Sequence, residues 1–196
     1  MKVELNKIFP LESSKLDAWN QLSDITKVAG CMPGAEITEK VSDTHYKGKV
    51  KVRIGPVSLA FNGDINVQNV DADKQELHLI ASGKDSKGSS TASMDLTAYV
   101  REAEANKTEL IGDAKVSLNG KLVSFGGRMI TQVADQILDQ FADNFREQLP
   151  QAGASKQSDD AASVETKPSK PNEINGLSLM WNLFVGFFKN LFSGAS

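Results

Sequence analysis

Cysteine is almost absent. Cys31 is the sole one in 196 residues, which excludes an internal disulfide framework and agrees with a reducing compartment. A surplus of positive charge is also missing: 22 Lys and Arg stand against 25 Asp and Glu, net −3. With no basic run interleaved with aromatics, nothing favours a nucleic-acid partner. His45, His78 and Cys31 are scattered, so no cluster has metal-ligand spacing and no metal is expected. Neither histidine has a visible partner, so no base with an orienting group can be named for nucleophilic catalysis. Asp71 and Asp73 read as turn formers. Gly126–Gly127 lacks the flanks of a nucleotide-binding loop. The opening stretch, MKVELNKIFPLESS, has no apolar run of the kind a secretory signal needs, so a cytoplasmic body is expected.

Residues 150–173, PQAGASKQSDDAASVETKPSKPNE, contain no aromatic residue and one branched apolar residue, Val164. Such a segment buries too little apolar surface to offset its ordering entropy, and a disordered tether is expected. Its root-mean-square span would be roughly 25–30 Å, and about 80 Å at full stretch. Residues 174–196 are the opposite in character. On a helix, Leu177, Met180, Trp181, Phe184, Phe187, Phe188, Leu191 and Phe192 share one face, with Asn175, Ser178, Asn182, Gly186, Lys189 and Asn190 on the other. A tail this apolar requires a membrane, a partner groove or its own domain to cover it. Spanning would put three asparagines and a lysine into hydrocarbon, so the pattern favours an amphipathic helix lying in the membrane interface. Half-burying eight large side chains would release roughly 8 kcal/mol gross, which suits reversible attachment.

The body, residues 1–149, suits one domain. Alternation predicts a strand over 2–9, stopped at Pro10, and helical spacing through Leu16, Trp19 and Leu22 predicts a helix over 12–22. A short helix over 24–28 follows, with Asp24 as N-cap, then a loop over 29–34. The period then becomes two. Strands are expected over 35–41, 46–54, 57–70, 76–82, 91–101 and 108–118, with a Gly/Ser/Lys-rich hairpin tip over 83–90. A helix over 128–149 carries the apolar stripe Met129, Ile130, Val133, Ala134, Ile137, Leu138, Phe141 and Phe145. A curved antiparallel sheet of about seven strands around that helix buries both apolar faces, an α+β architecture.

AGCMPG at 29–34, YKGKVKVRIG at 46–55, Gly63, and GKLVSFGG at 120–127 before the long helix resemble the carbon monoxide dehydrogenase G-subunit family of the START-like, helix-grip superfamily. The resemblance covers most of residues 1–149. It implies a small non-metal accessory protein, not an enzyme, whose partner is a CO dehydrogenase-type molybdenum hydroxylase. It also implies an elongated apolar cavity between sheet and helix for a lipophilic small molecule. No covalently bound cofactor is expected. A quinone or lipid is the expected guest, and the inner, cytoplasmic face of the membrane the expected location.

The candidate ligand-binding residues are Val50, Val52, Phe61, Ile65, Leu79, Met94 and Leu96 from the strands. Met129, Val133, Ile137 and Phe141 come from the helix, and Phe125 from the segment before it. Cys31, Met32 and Pro33 would stand at the mouth, either as a sulfur-lined gate or as a turn in which Pro33 fixes φ and Gly34 permits an unusual one. The alternative to a cavity is an ordinary solid core. Gly48, Gly63 and Gly83, at inward positions, either remove volume or mark bends that curl the sheet. Lys47, Lys49, Lys51 and Arg53 share the outer face of one strand. They form either a solvated surface or a stripe for acidic headgroups or an acidic partner, which Lys84 and Lys87 could join. Three functions follow: a carrier of lipophilic cargo, a membrane-recruitment scaffold with a solid core, or an enzyme of the cyclase or hydrolase type.

Overall fold

The computed structural model describes residues 1–104 and 107–150. The expected tether beyond Pro150, and the tail with Leu177, Met180, Trp181, Phe184, Phe187, Phe188, Leu191 and Phe192, lie outside the described residues. The elements run β1 (Lys2–Leu11), α1 (Lys15–Leu22), α2 (Ile25–Cys31), β2 (Ala35–Lys40), β3 (His45–Ile54) and β4 (Val57–Asp71). They continue with β5 (Glu76–Asp85), β6 (Ser90–Glu104), β7 (Lys107–Gly120), a 3-10 turn (Lys121–Phe125) and α3 (Gly127–Gln148). The strands form one antiparallel sheet in the order β1-β7-β6-β5-β4-β3-β2. Six strands make a meander, and the N-terminal strand adds beside β7.

Pleating gives this sheet two distinct faces. On β3, Tyr46, Val50, Val52 and Ile54 turn inward while Lys47, Lys49, Lys51 and Arg53 turn out. The register carries the inward set across the sheet, for example Val3↔Val116↔Met94↔Ala81↔Ile65↔Tyr46. α3 touches both β1 and β3, which lie near opposite edges of the sheet. The sheet therefore curls around the helix.

The curl has a local cause. Gly48, Gly63 and Gly83 face one another across β3, β4 and β5. A Cβ on Gly63 would lie 2.0 Å from the Ser82 carbonyl oxygen and 2.7 Å from Gly83 Cα. At Gly63 the missing side chain is thus taken up by the neighbouring backbone, and the bend reading holds there over the volume reading.

Several local expectations change. Pro10 does not end β1. It pairs with Glu109, and its carbonyl accepts from Arg146 Nε at 3.1 Å. Its imide nitrogen therefore faces away from β7, and an edge strand loses no ladder bond to proline there. α1 starts at Lys15 because Ser14 caps it, accepting the Asp17 N–H at 3.1 Å. Leu16 is exposed, while Trp19 and Leu22 are buried. Asp24 caps α2 as expected, accepting from Thr26 and Lys27 N–H, but the helix runs on to Cys31. β5 continues to Asp85, leaving only Ser86–Ser89 as the hairpin tip. Asp71 accepts from the Asp73 and Lys74 N–H groups, a turn former as expected.

Candidate functional site

The apolar stripe of α3 is uniform in sequence but not in packing. Toward the C-terminus Phe141, Ala142, Phe145 and Leu149 are buried, Phe145 completely. Phe141 meets Phe9 edge-on at 6.5 Å between ring centroids and lies 5.7 Å from Phe145. The Phe9 contact holds that end of the helix on the sheet, and the Asn144–Cys31 and Gln21–Gln148 hydrogen bonds tie it to the α1–α2 pair. Toward the N-terminus the same stripe is open. Ile130, Val133 and Ile137 are half-buried, and Met129 is 42% exposed.

The apolar interior divides accordingly. One cluster is closed and contains Cys31, Leu79 and Phe141, with Met32, Ile65, Met94 and Leu96 packed against it. The other lies by the N-terminal part of α3. Ile54, Phe61, Leu118 and Leu122 are its four buried members, while Met1, Val50, Val52, Leu59, Ala92, Val116, Phe125, Ile130 and Val133 remain partly accessible. More members are partly exposed than covered, so this cluster leaves apolar surface accessible. Covering such surface releases about 25 cal/mol per Å², and a guest of matching shape would gain that free energy.

Of the expected ligand-binding residues, the structure therefore gathers Val50, Val52, Phe61, Phe125 and Val133 in the open cluster. Ile65, Leu79, Met94, Leu96 and Phe141 go to the closed one. Met129 and Ile137 belong to neither. Leu59, Ala92, Val116 and Ile130 also belong to the open cluster; inward strand parity was the available signal for the first three, and the helix stripe for Ile130. Met1 joins them because its amino group donates to the Leu118 carbonyl at 2.8 Å, which draws the chain start into the sheet.

The expected mouth is a turn. Ala35 N–H donates to the Met32 carbonyl at 3.1 Å, with Pro33 and Gly34 between them and Gly34 at φ +76°, a type II geometry. A Cβ on Gly34 would lie 2.5 Å from the Lys51 carbonyl oxygen. Cys31 offers no sulfur to a gate, since it is fully buried. Its thiol donates to the Lys27 carbonyl at 3.3 Å and accepts from Gln21 Nε2 at 3.6 Å, while Asn144 Nδ2 donates to its carbonyl at 2.8 Å. Burial pushes the Cys31 thiol pKa up, partly offset by the Gln21 contact. Cys31 thus ties α1, α2 and α3 together.

Charged side chains reach the concave face from two strands. Lys7 Nζ, on the inner side of β1, pairs with Asp135 of α3 at 2.8 Å. Asp85 turns inward at the end of β5, where it accepts from Ser89 Oγ at 2.8 Å. That bond holds its carboxyl below the usual range. The open cluster is made of apolar side chains, and the one charged group it brings is the Met1 amino group, bonded to the Leu118 carbonyl. The cluster can hold and orient a molecule, and it offers no acid–base pair. The histidines do have partners, contrary to the expectation from sequence: His45 with Asp64 and His78 with Asp95, both at 2.8 Å. Both pairs are diagonal cross-strand contacts on the outer face, away from the apolar cluster.

The outer cationic stripe is likewise divided. Lys47 pairs with Glu39 at 2.9 Å and Lys49 with Glu36 at 3.5 Å. Lys51 and Arg53 lie beyond the β2 carboxylates, because β2 ends opposite Val50. Among the described residues no helix is long and apolar enough to cross a membrane.

Comparison with known proteins agrees with this architecture. The family model for the carbon monoxide dehydrogenase G-subunit, CoxG, matches residues 9–150. No curated protein matches in sequence. Among solved structures, a conserved protein from Geobacillus kaustophilus aligns with a TM-score of 0.67 at 19% identity, covering 74% of this chain and 93% of its own. The Zhui aromatase/cyclase of Streptomyces sp. R1128 aligns at 0.54 and 10% identity, covering 75% and 93%. A START superfamily protein from Mycobacterium smegmatis aligns at 0.52 and 14% identity, covering 74% and 96%. At these identities the likeness is one of fold: the START-like helix grip.

Proposed function

The chain belongs to the carbon monoxide dehydrogenase G-subunit (CoxG) family, and from that premise we propose that it is a non-enzymatic accessory protein that carries a lipophilic guest. The family and fold support a ligand-binding accessory role. The finer reading is that the guest is a respiratory quinone, taken up by its headgroup and the start of its isoprenoid chain. The partner in this reading is a CO dehydrogenase-type molybdenum hydroxylase. Such an enzyme is soluble, whereas its electron acceptor is dissolved in the bilayer. A domain with an apolar chamber and a sticky tail at 174–196 would bridge the two phases from the inner face of the membrane.

The observation that carries the reading is the open apolar cluster, with Val50, Val52, Leu59 and Val133 half-covered beneath the N-terminal part of α3. Ligand sites of this kind are mostly apolar, with few polar groups. The enzyme alternative draws on the fold neighbour named an aromatase/cyclase. It is the weaker reading, because the open cluster brings no acid–base pair to a bound molecule. The other alternative is recruitment of the enzyme without cargo.

Full-length protein isolated from native membranes should yield a quinone or other lipid on organic extraction and mass spectrometry. An empty extract from well-folded protein would remove the carrier and leave recruitment.

A further inference from the structure

β4 runs past the end of β5. The last β4–β5 pair is Phe61↔Asp85, so residues 57–60 have no strand on that side. The gap opens a cleft of about 370 Å³ lined by Lys51, Arg53, Ser58, Ser86 and Lys87, with Val52 and Leu59 at its apolar end. That volume is within the roughly 300–1,000 Å³ of small-molecule sites. Three cations border it, and among the described residues none of them makes an ion pair. Lys51 and Arg53 are out of reach of the β2 acids that neutralise Lys47 and Lys49. Arg53 Nε donates to the Gly55 carbonyl at 3.3 Å, which leaves its terminal nitrogens available. The one carboxylate in the lining, Asp85, accepts from Ser89 and from the Lys87 backbone N–H and attracts the Lys87 ammonium, so Lys51 and Arg53 are the cations farthest from any carboxylate there.

The backbone adds a donor. The Ala60 carbonyl accepts from Ser86 N–H at 2.8 Å, so Ala60 presents its polar groups toward the hairpin tip. By the two-residue alternation of antiparallel pairing, Ser58 N–H points to the same open edge. Two hydroxyls, a main-chain N–H and three cations thus converge where no strand covers them.

We propose that this cleft binds a phosphate group. Guanidinium and ammonium donors together with serine hydroxyls and a main-chain N–H match the several acceptor oxygens of a phosphate. The group could belong to a phospholipid head or to free phosphate. The site stands independently of whether the apolar chamber holds a guest.

The test uses the full chain and two variants, Lys51→Gln/Arg53→Gln/Lys87→Gln and the within-stripe control Lys47→Gln/Lys49→Gln. Inorganic phosphate is titrated while the amide resonances of Ser58 and Ser86 are followed. Wild type and control should show saturable shifts at these amides, and the triple variant should lose them. In a second arm, binding to phosphatidylcholine vesicles is compared with binding to vesicles containing phosphatidylglycerol. At least about a tenfold preference for the anionic vesicles, lost in the triple variant and kept in the control, identifies the lipid head as the source. Phosphate binding without that preference identifies free phosphate. The site is refuted if the wild-type amides do not respond to phosphate, or if the control loses the response as fully as the triple variant. The wild-type titration decides even if a variant folds poorly.

Discussion

The Lys7 ammonium, on the concave face of the first strand, lies 2.8 Å from the Asp135 carboxylate at the middle of the last helix. It joins α3 to β1 at an edge of the sheet, near the point where the helix changes from open to clamped. Both side chains are about a third or more exposed, at 32% and 42%. Asp135→Asn should therefore cost no more than about 1 kcal/mol of stability. If the pair acts as a latch, the variant should release a fluorescent lipophilic probe faster than wild type, and high salt should narrow the difference. Stopped-flow release at two ionic strengths measures this, and equal rates would assign the pair to the surface alone.

Two glycines separate space from strain. Gly63→Ala would drive a methyl into the Ser82–Gly83 backbone, with contacts of 2.0 and 2.7 Å. A loss of about 3 kcal/mol or more is expected, at the upper end of overpacking. Gly30, inside α2, has nothing within 4 Å of its would-be Cβ. Gly30→Ala should be neutral or stabilising by up to about 1 kcal/mol. Urea denaturation of both variants checks the contrast.

Filling the two apolar clusters should have different outcomes. Val133→Trp adds volume where neighbours are only half-covered, so it should weaken binding of a lipophilic probe about tenfold or more while moving the melting temperature by no more than a few degrees. Met94→Trp pushes against the closed cluster and should cost about 1–3 kcal/mol. Calorimetry beside probe titration distinguishes them. A large stability loss in Val133→Trp would mean that this cluster has no room for a guest.

Cys31 should resist alkylation. Its thiol is buried and its pKa is raised above the ordinary 9.0, so iodoacetamide at pH 8 should react with the folded protein at least about tenfold more slowly than with the unfolded chain. The unfolded thiol ionises first as pH rises, so above about pH 9 the folded state holds more protons and loses stability. Cys31→Ala should flatten that alkaline decline in melting temperature.

The tail can be tested by its apolar face. Trp181→Ser/Phe188→Ser in the full chain should reduce cosedimentation with vesicles severalfold or more, because two large apolar anchors are removed. Unchanged cosedimentation would exclude this face as the contact.

The sheet was legible because the pleat has a period of two: Val50 had to share a face with Val52 on β3, and Phe61 with Ile65 on β4. The closing helix was legible for the same kind of reason. Its division was not. Val133 and Phe141 belong to one apolar stripe, and only the partners at the C-terminal end, Phe9 and the α1–α2 pair, leave one half-open and the other buried. Pro10 misled because whether a proline breaks a strand depends on which side faces solvent. Cys31 misled because its place in a loop-like run hid one more turn of helix. The His45–Asp64 and His78–Asp95 pairs follow from diagonal cross-strand neighbours, which depend on register rather than on sequence spacing.

At Gly63 the bend of the sheet rests on close contact between main chains, the Ser82–Gly83 backbone standing where a side chain would be. The form of the trough is then largely uncoupled from the chemistry of its walls. Substituting Val52, Leu59 or Val133 would then change the apolar lining without re-bending the sheet, as a mould keeps its outline when its lining is changed.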